Sequence, residues 1–228
     1  DPPLVVAVQG PPGCGKSLLI RCLIRHYSQQ RVIDLKGPIT VAISKVQRIT
    51  FIEVGNDINS MIDAAKVADF VLLCVNAAHG FEMETFEFLN LLLSHGFPKV
   101  MGIITHLDVC DKSIGNSIRA RFLKELNVGV KVYKLERLIN GKYEKKSIQA
   151  LARLLNQAKV RVLSFREGRG YCLADRVERH PTDPTHTYLF GYSRGIGFKA
   201  GDKCHLAGIG DVSVLNATVL EDPCPIVT

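Results

Sequence analysis

The sequence predicts an α/β chain: a mostly parallel, doubly wound sheet over residues 1–160, then a small all-β, barrel-like domain over 161–228. Three observations predict it. Apolar runs of strand length alternate with amphipathic helical stretches as far as about Arg161. Those runs are rich in Val, Ile and Leu without strict alternation, as expected of strands covered by helices on both faces. Beyond Arg161 the helical periodicity ends, and short strand-like runs follow between Gly, Pro and Asp turns.

The elements follow in order. "LVVAVQG" precedes "SLLIRCLIRHYS", "RITFIEV" precedes "INSMIDAAKVA", and "DFVLLCVNA" precedes "METFEFLNLLLSHG". "KVMGIITHLD" then leads to "SIRARFLKELN", and "KVYKLE" to "KSIQALARLLNQAK". The segment "ITVAISKVQRITFIEV" has no room for a helix, so it reads as a hairpin turning near Lys45, with one antiparallel strand beside parallel neighbours. "YCLADRVE", "HTYLFGYSRG" and "DKCHLAGIGDVSVLNATVLE" supply the later strands.

With 228 residues and 46% hydrophobic composition the chain can bury a sizeable core. It starts on Asp1 and stops at "DPCPIVT" within strand-like sequence, which reads as an excerpt of a longer protein with an incomplete second domain. No apolar run nears the roughly 20 residues that cross a bilayer, and no signal-peptide pattern opens the chain, so membrane partners are not expected. Nothing points to a homo-oligomer. Seven cysteines without a C-x-x-C pair suit a reducing compartment and no structural zinc. The formal charge of +7, from 29 basic and 22 acidic residues, suits a phosphate-rich partner such as RNA but looks dispersed.

The chemistry begins at "GPPGCGKSL": Gly10, Pro11, Pro12, Gly13, Cys14, Gly15, Lys16, Ser17 and Leu18. It matches G-x-x-x-x-G-K-[ST] between a strand and a helix, a phosphate-binding loop. Gly13 and Gly15 permit backbone shapes that turn successive N–H groups toward phosphate oxygens. Lys16 adds positive charge at the β and γ phosphates, Ser17 offers a hydroxyl to Mg²⁺, and the helix N-terminus faces the anion.

"THLD", Thr105 to Asp108, ends the strand "KVMGII", where guanine-specific loop proteins carry Asn/Thr-Lys-x-Asp. A carboxylate at Asp108 accepts both guanine N–H donors and rejects the adenine edge. His106 stands where a Lys stem packs over the base. The alternative reading is that Asp108 caps the next helix.

In "KGPIT", Thr40 stands where a switch threonine meets Mg²⁺ and the γ phosphate, or is an ordinary strand residue. After "KVYKLE" a small-residue turn is expected to meet the guanine oxygen, and the chain offers Leu135 and Glu136 there instead.

Together "GPITV", "NDINSMIDAAKVAD", "GFEMETFEFLN", "HGFPKVMGIITHLD", "NGKY", "GYSRG", "HLAGIGD" and "DPCP" resemble the Bms-type ribosome-biogenesis GTPases, relatives of the translational GTPases. The intact Gly10 to Ser17 favours this type over its sister family, which tends to lack a working loop. The resemblance implies a G domain followed by a β domain like domain II of elongation factors, with GTP/GDP and Mg²⁺ as ligands. It further implies a nuclear, nucleolar factor of the small-subunit processome. The implied partners are pre-ribosomal RNA, processome proteins and an RNA cyclase-like endonuclease factor. The loop after "THLD" is shorter than the family pattern.

Translational GTPases orient the attacking water with a His after Asp-x-x-Gly. The aligned residues here are Glu53, Val54, Gly55, Asn56 and Asp57. Glu53 can still hold Mg²⁺ through water, Asn56 suits a left-handed backbone, and Asp57 puts an anion beside the γ phosphate or caps the helix from Ile58. Lys16, Thr40, Glu53 and Asp57 are thus the candidate catalytic residues, and Ser17 and Thr40 the candidate metal ligands. The pattern predicts slow, partner-activated hydrolysis; a GTP-gated scaffold and an adenine-specific ATPase are the alternatives.

Overall fold

The computed structural model describes residues 2–44, 47–126, 130–158, 160, 162–222 and 225. They form two units, one spanning Leu4–Arg161 and the other Asp1–Pro3 with Val162–Thr228.

The first unit is built on six strands: β1 (Leu4–Gln9), β2 (Ile39–Ala42), β3 (Arg48–Glu53), β4 (Phe70–Asn76), β5 (Lys99–Thr105) and β6 (Lys131–Lys134). Their order in the sheet is β2-β3-β1-β4-β5-β6. All neighbours are parallel except β2, which pairs antiparallel with β3. The α/β class and its one antiparallel edge are therefore as the sequence predicts. The turn expected near Lys45 lies outside the described residues.

Five helices cover the sheet: α1 (Lys16–Ser28), α2 (Ile58–Val67), α3 (Met83–Ser94), α4 (Lys112–Glu125) and α5 (Lys145–Asn156). Because strand side chains alternate in direction, one sheet supplies two apolar layers. Val6, Val8, Phe51 and Leu72 pack with Leu19 and Leu23 of α1 and Leu151 and Leu155 of α5. Ala7, Val71, Leu73 and Ile104 pack with Met61 of α2, Phe88 of α3 and Phe122 of α4. β4 lies at the centre and is buried throughout, which explains why "FVLLCVN" shows no alternation.

Between β6 and α5 the chain makes a hairpin that the helical rhythm hides, β7 (Leu138–Ile139) against β8 (Lys142–Tyr143). Its two turn residues, Asn140 (φ 51°) and Gly141 (φ 70°), are both left-handed, as a two-residue turn between twisted strands requires.

The second unit opens with a short helix, α6 (Ser164–Glu167). It carries two antiparallel ladders, β9 (Tyr171–Arg179) with β10 (Thr187–Arg194) and β11 (Lys203–Leu206) with β12 (Gly210–Ser213). Among the described residues these ladders remain separate sheets. Much of their surface is exposed, and guanidinium groups cover aromatic faces instead, with Arg176 at 4.0 Å from the Phe190 ring centre and Arg169 at 4.3 Å from that of Phe165.

Phe122 is fully buried and meets Phe81 edge-on at 4.6 Å. Phe122→Ala should therefore destabilise the first unit by about 3–5 kcal/mol, measured by chemical denaturation.

Candidate nucleotide site

The phosphate loop connects the buried β1 to α1, whose first-turn amides have no acceptor within the helix. Gly13 and Gly15 have φ of 73° and 91°, the left-handed shapes that the loop requires. Lys16 is only 8% exposed, and its ammonium is held by the Gly10 carbonyl at 2.5 Å, the Pro11 carbonyl at 3.3 Å and Asn56 Oδ1 at 3.1 Å. A buried cation is tolerable only with such a set of oxygens. The Ser17 hydroxyl donates to Glu53 Oε1 at 2.7 Å, joining the start of α1 to the end of β3. That oxygen-only pair suits Mg²⁺, which favours a few hard ligands and retains waters.

Cys14 and Cys74 lie together, fully buried, beneath the loop. The hydrogen bond from the Cys74 thiol lowers Cys14 below the usual thiol range, against burial and with help from Lys16. The same bond and its complete burial push Cys74 well up. One thiol is thus favoured as acceptor and the other as donor.

Thr105 ends β5 fully buried, and its hydroxyl donates to the Cys14 carbonyl at 2.9 Å. This bond fastens "THLD" to the phosphate loop. His106 is left-handed (φ 57°), and its Nδ1 lies 3.0 Å from Thr105 Oγ1. Asp108 follows, exposed, in a single 3-10 turn spanning Leu107–Val109. It is not the cap of α4, whose N-cap residue is Asp111, so the capping alternative is not realised. Leu135 is buried and its N–H is spent on the Ile104 carbonyl at 2.9 Å. Any amide contact from that turn would fall to the exposed Glu136.

Thr40 takes one of its two sequence readings, and Asn56 departs from the backbone shape expected of it. Thr40 lies within β2, opposite Thr50, with their hydroxyl oxygens 2.9 Å apart. Thr50 precedes Glu53 by three residues, so Thr40 lies about 10 Å down the sheet from the strand end where Ser17 sits. The strand reading of Thr40 is the one realised. Asn56 does not adopt the left-handed shape; its side chain turns to Lys16.

Asp57 is the N-cap of α2. Its Oδ2 accepts from the Ser60 N–H at 2.9 Å and its Oδ1 from the Ser60 hydroxyl at 2.8 Å. Gly55 makes room for this, since a Cβ there would stand 2.7 Å from Asp57 Oδ1 and 2.9 Å from Ser60 Oγ. Hydrogen bonds from Ser60 lower the Asp57 carboxyl below its usual range. Sequence reading also missed Tyr143 of β8, which is 7% exposed and packs over the loop at Gly15.

Loop, cation, hydroxyl–carboxylate pair and distal carboxylate define the class: a P-loop G-type nucleotide domain with a β unit attached. The model of the Tsr1 G-like domain matches residues 16–140, and that of the AARP2CN (NUC121) domain matches residues 159–223. The chain belongs to this family of G-like domains, on its Bms-type branch. It is 43% identical to the human ribosome biogenesis protein BMS1 homolog over 98% of its own length and 18% of that protein's. It is 41% identical to ribosome biogenesis protein BMS1 of Saccharomyces cerevisiae, over 98% of this chain and 20% of that one. The chain thus spans about a fifth of the curated relatives it matches. Among solved structures, translation elongation factor SelB of Methanococcus maripaludis, in complex with the GTP analogue GppNHp, superposes with a TM-score of 0.63. That likeness covers 89% of this chain and 44% of SelB at 19% identity, and it shows the shared fold.

The Asp57 cap gives a pH signature. A lowered folded value means its stabilisation is complete above about pH 4, the ordinary carboxylate range, and is lost as pH falls through the folded value. Asp57→Ala should lower the thermal midpoint at neutral pH, with the gap from wild type closing below about pH 4 in unfolding curves. Asp57→Asn should keep most of the cap.

Proposed function

We propose that the chain is the guanine-nucleotide-binding module of a ribosome-biogenesis factor, and that it hydrolyses GTP slowly until a partner accelerates it. The observation that carries this is the bond from Thr105 to the Cys14 carbonyl, which fastens a complete phosphate loop to the segment bearing an exposed, acceptor-only Asp108. A part in ribosome biogenesis is supported by the names of its relatives. We extend this to a nucleolar place in the small-subunit processome, with pre-ribosomal RNA, processome proteins and the RNA cyclase-like endonuclease factor as partners.

Lys16 would exchange its carbonyl and Asn56 contacts for phosphate oxygens, and the α1 amides would hold the same anion. Ser17 would ligate Mg²⁺, with Glu53 behind it through water, and a metal held there would supply positive charge against the phosphates. Asp57 opposes hydrolysis twice over. Its charge repels the γ phosphate, and its oxygens are engaged by Ser60, so turning to a water would release the helix end. An external positive group can be worth about 10³ to 10⁵ in rate. The engaged Asp57 also favours a second reading, a GTP-gated scaffold. Single-turnover assays separate the two: no phosphate release even with pre-ribosomal particles sinks the enzyme.

Base choice is tested by titrating GTP and ATP. Lys16→Ala should lose affinity for both, whereas Asp108→Asn should lose the preference for GTP; an unchanged preference would show that Asp108 does not read the base, and a wild type that prefers ATP would favour the ATPase alternative.

RNA contact is supported by where the charge falls. Residues 112–161 hold thirteen lysines and arginines against three carboxylates, whereas residues 162–228 hold seven against eight. Along the chain the excess is therefore concentrated in the stretch from α4 to just past α5, which includes β6, rather than dispersed. β6 is flanked by both helices, since Lys134 donates to Asn116 of α4 at 2.7 Å and Tyr133 to the Ser147 carbonyl of α5 at 2.9 Å. Arg119, Lys124, Lys131, Lys145 and Lys146 are exposed there. Lys131→Glu with Lys145→Glu and Lys146→Glu should weaken RNA binding and flatten its salt dependence, read by fluorescence anisotropy across a salt series.

A further inference from the structure

Tyr143 is a polar side chain at this site that the nucleotide reading leaves without a task. It closes the β7–β8 hairpin, and β8 packs against α1. Its ring belongs to the apolar layer of Leu135, Ile148 and Leu151, which a phenylalanine would fill equally well. Its hydroxyl is another matter. A Cβ built on Gly15 would stand 2.5 Å from Tyr143 Oη, and 3.7 Å from Cζ, so the oxygen itself rests on the loop at the N-terminus of α1. Among the described residues no acceptor is hydrogen-bonded to it, and it is not one of the buried polar atoms left without a partner, so the hydroxyl is the tip of a mostly buried side chain that reaches the surface at the phosphate loop. A donor held there by a packed ring is free to meet a ligand on the loop. Burial pushes the phenol well up, and the nearby Cys74, Cys14, Cys22 and Asp108 add to this, so the group is a donor throughout the neutral range.

The contact with Gly15 locates it. A nucleotide with phosphates at Gly13–Ser17 and base at Asp108 would run past Gly15, and Tyr143 is near enough to Asp108 to feel its charge. His106, the other side chain in reach of the base segment, is turned back on Thr105.

We propose that the Tyr143 hydroxyl donates a hydrogen bond to the bound nucleotide between base and terminal phosphate, at the ribose or α phosphate common to GTP and GDP. This rests on the guanine-nucleotide reading above and adds a residue that fixes the nucleotide rather than the base.

The test is Tyr143→Phe, which keeps the ring and removes only the hydroxyl, measured by calorimetric titration with GTP, GDP and ATP. The expected result is about tenfold weaker binding of all three, with the GTP-to-ATP ratio and the thermal midpoint of the nucleotide-free protein unchanged. Unchanged affinities overturn the proposal, as does a loss confined to GTP, or a fall in the free protein's midpoint large enough to account for the weaker binding. The two ideas fail separately. If Asp108→Asn leaves the GTP-to-ATP ratio intact while Tyr143→Phe still weakens all three nucleotides, the guanine reading falls and the hydroxyl contact stands.

Discussion

The hydrogen bond from Thr105 to the carbonyl of Cys14 is the constraint on which the site depends. Two loops that follow different strands, β1 and β5, would otherwise be free to drift apart, because no sheet hydrogen bond joins them. Thr105 is fully buried, so its hydroxyl must find an acceptor, and the loop carbonyl is the one it meets at 2.9 Å. The distance between phosphate cradle and distal carboxylate is thereby set by a buried bond rather than by surface loops. β4, buried along its whole length, keeps β1 and β5 apart by one strand width beneath it.

Around this anchor the site is assembled from contacts that satisfy groups twice. Lys16 is a buried cation balanced by backbone oxygens and Asn56, and the Ser17–Glu53 pair closes the opposite side. Asp57 does for α2 what the loop amides do for an anion in reverse, presenting a fixed negative group to a helix start. A residue occupied in this way is a poor choice for handling water, which links the stability of α2 to the slowness proposed for hydrolysis.

Much of the fold was legible because it is local or periodic. The strand runs, the helices and the glycine loop follow from spacing, and the Asp57 cap could be read from an aspartate directly before the helix that starts at Ile58. What was not legible depends on register or long-range pairing. Thr40 falls away from the site because β2 pairs with β3 so that it faces Thr50, a register that sequence spacing does not give. Asn56 meets Lys16 across forty positions of chain, and nothing near either residue announces it. Tyr143 was a different kind of miss. The Asn140–Gly141 pair is a strong hairpin signal, but the strand–helix rhythm on either side of it drew attention past those four paired residues.

That hairpin has a mechanical consequence. A long loop absorbs a push at its end by bending along its length, whereas a two-residue turn between paired strands has little slack to give. Leu138 and Ile139 are half exposed on one arm, and Tyr143 lies rooted at the phosphate loop on the other. A body pressing on the first arm would therefore move the second with it, as a short stiff lever whose far end rests on Gly15.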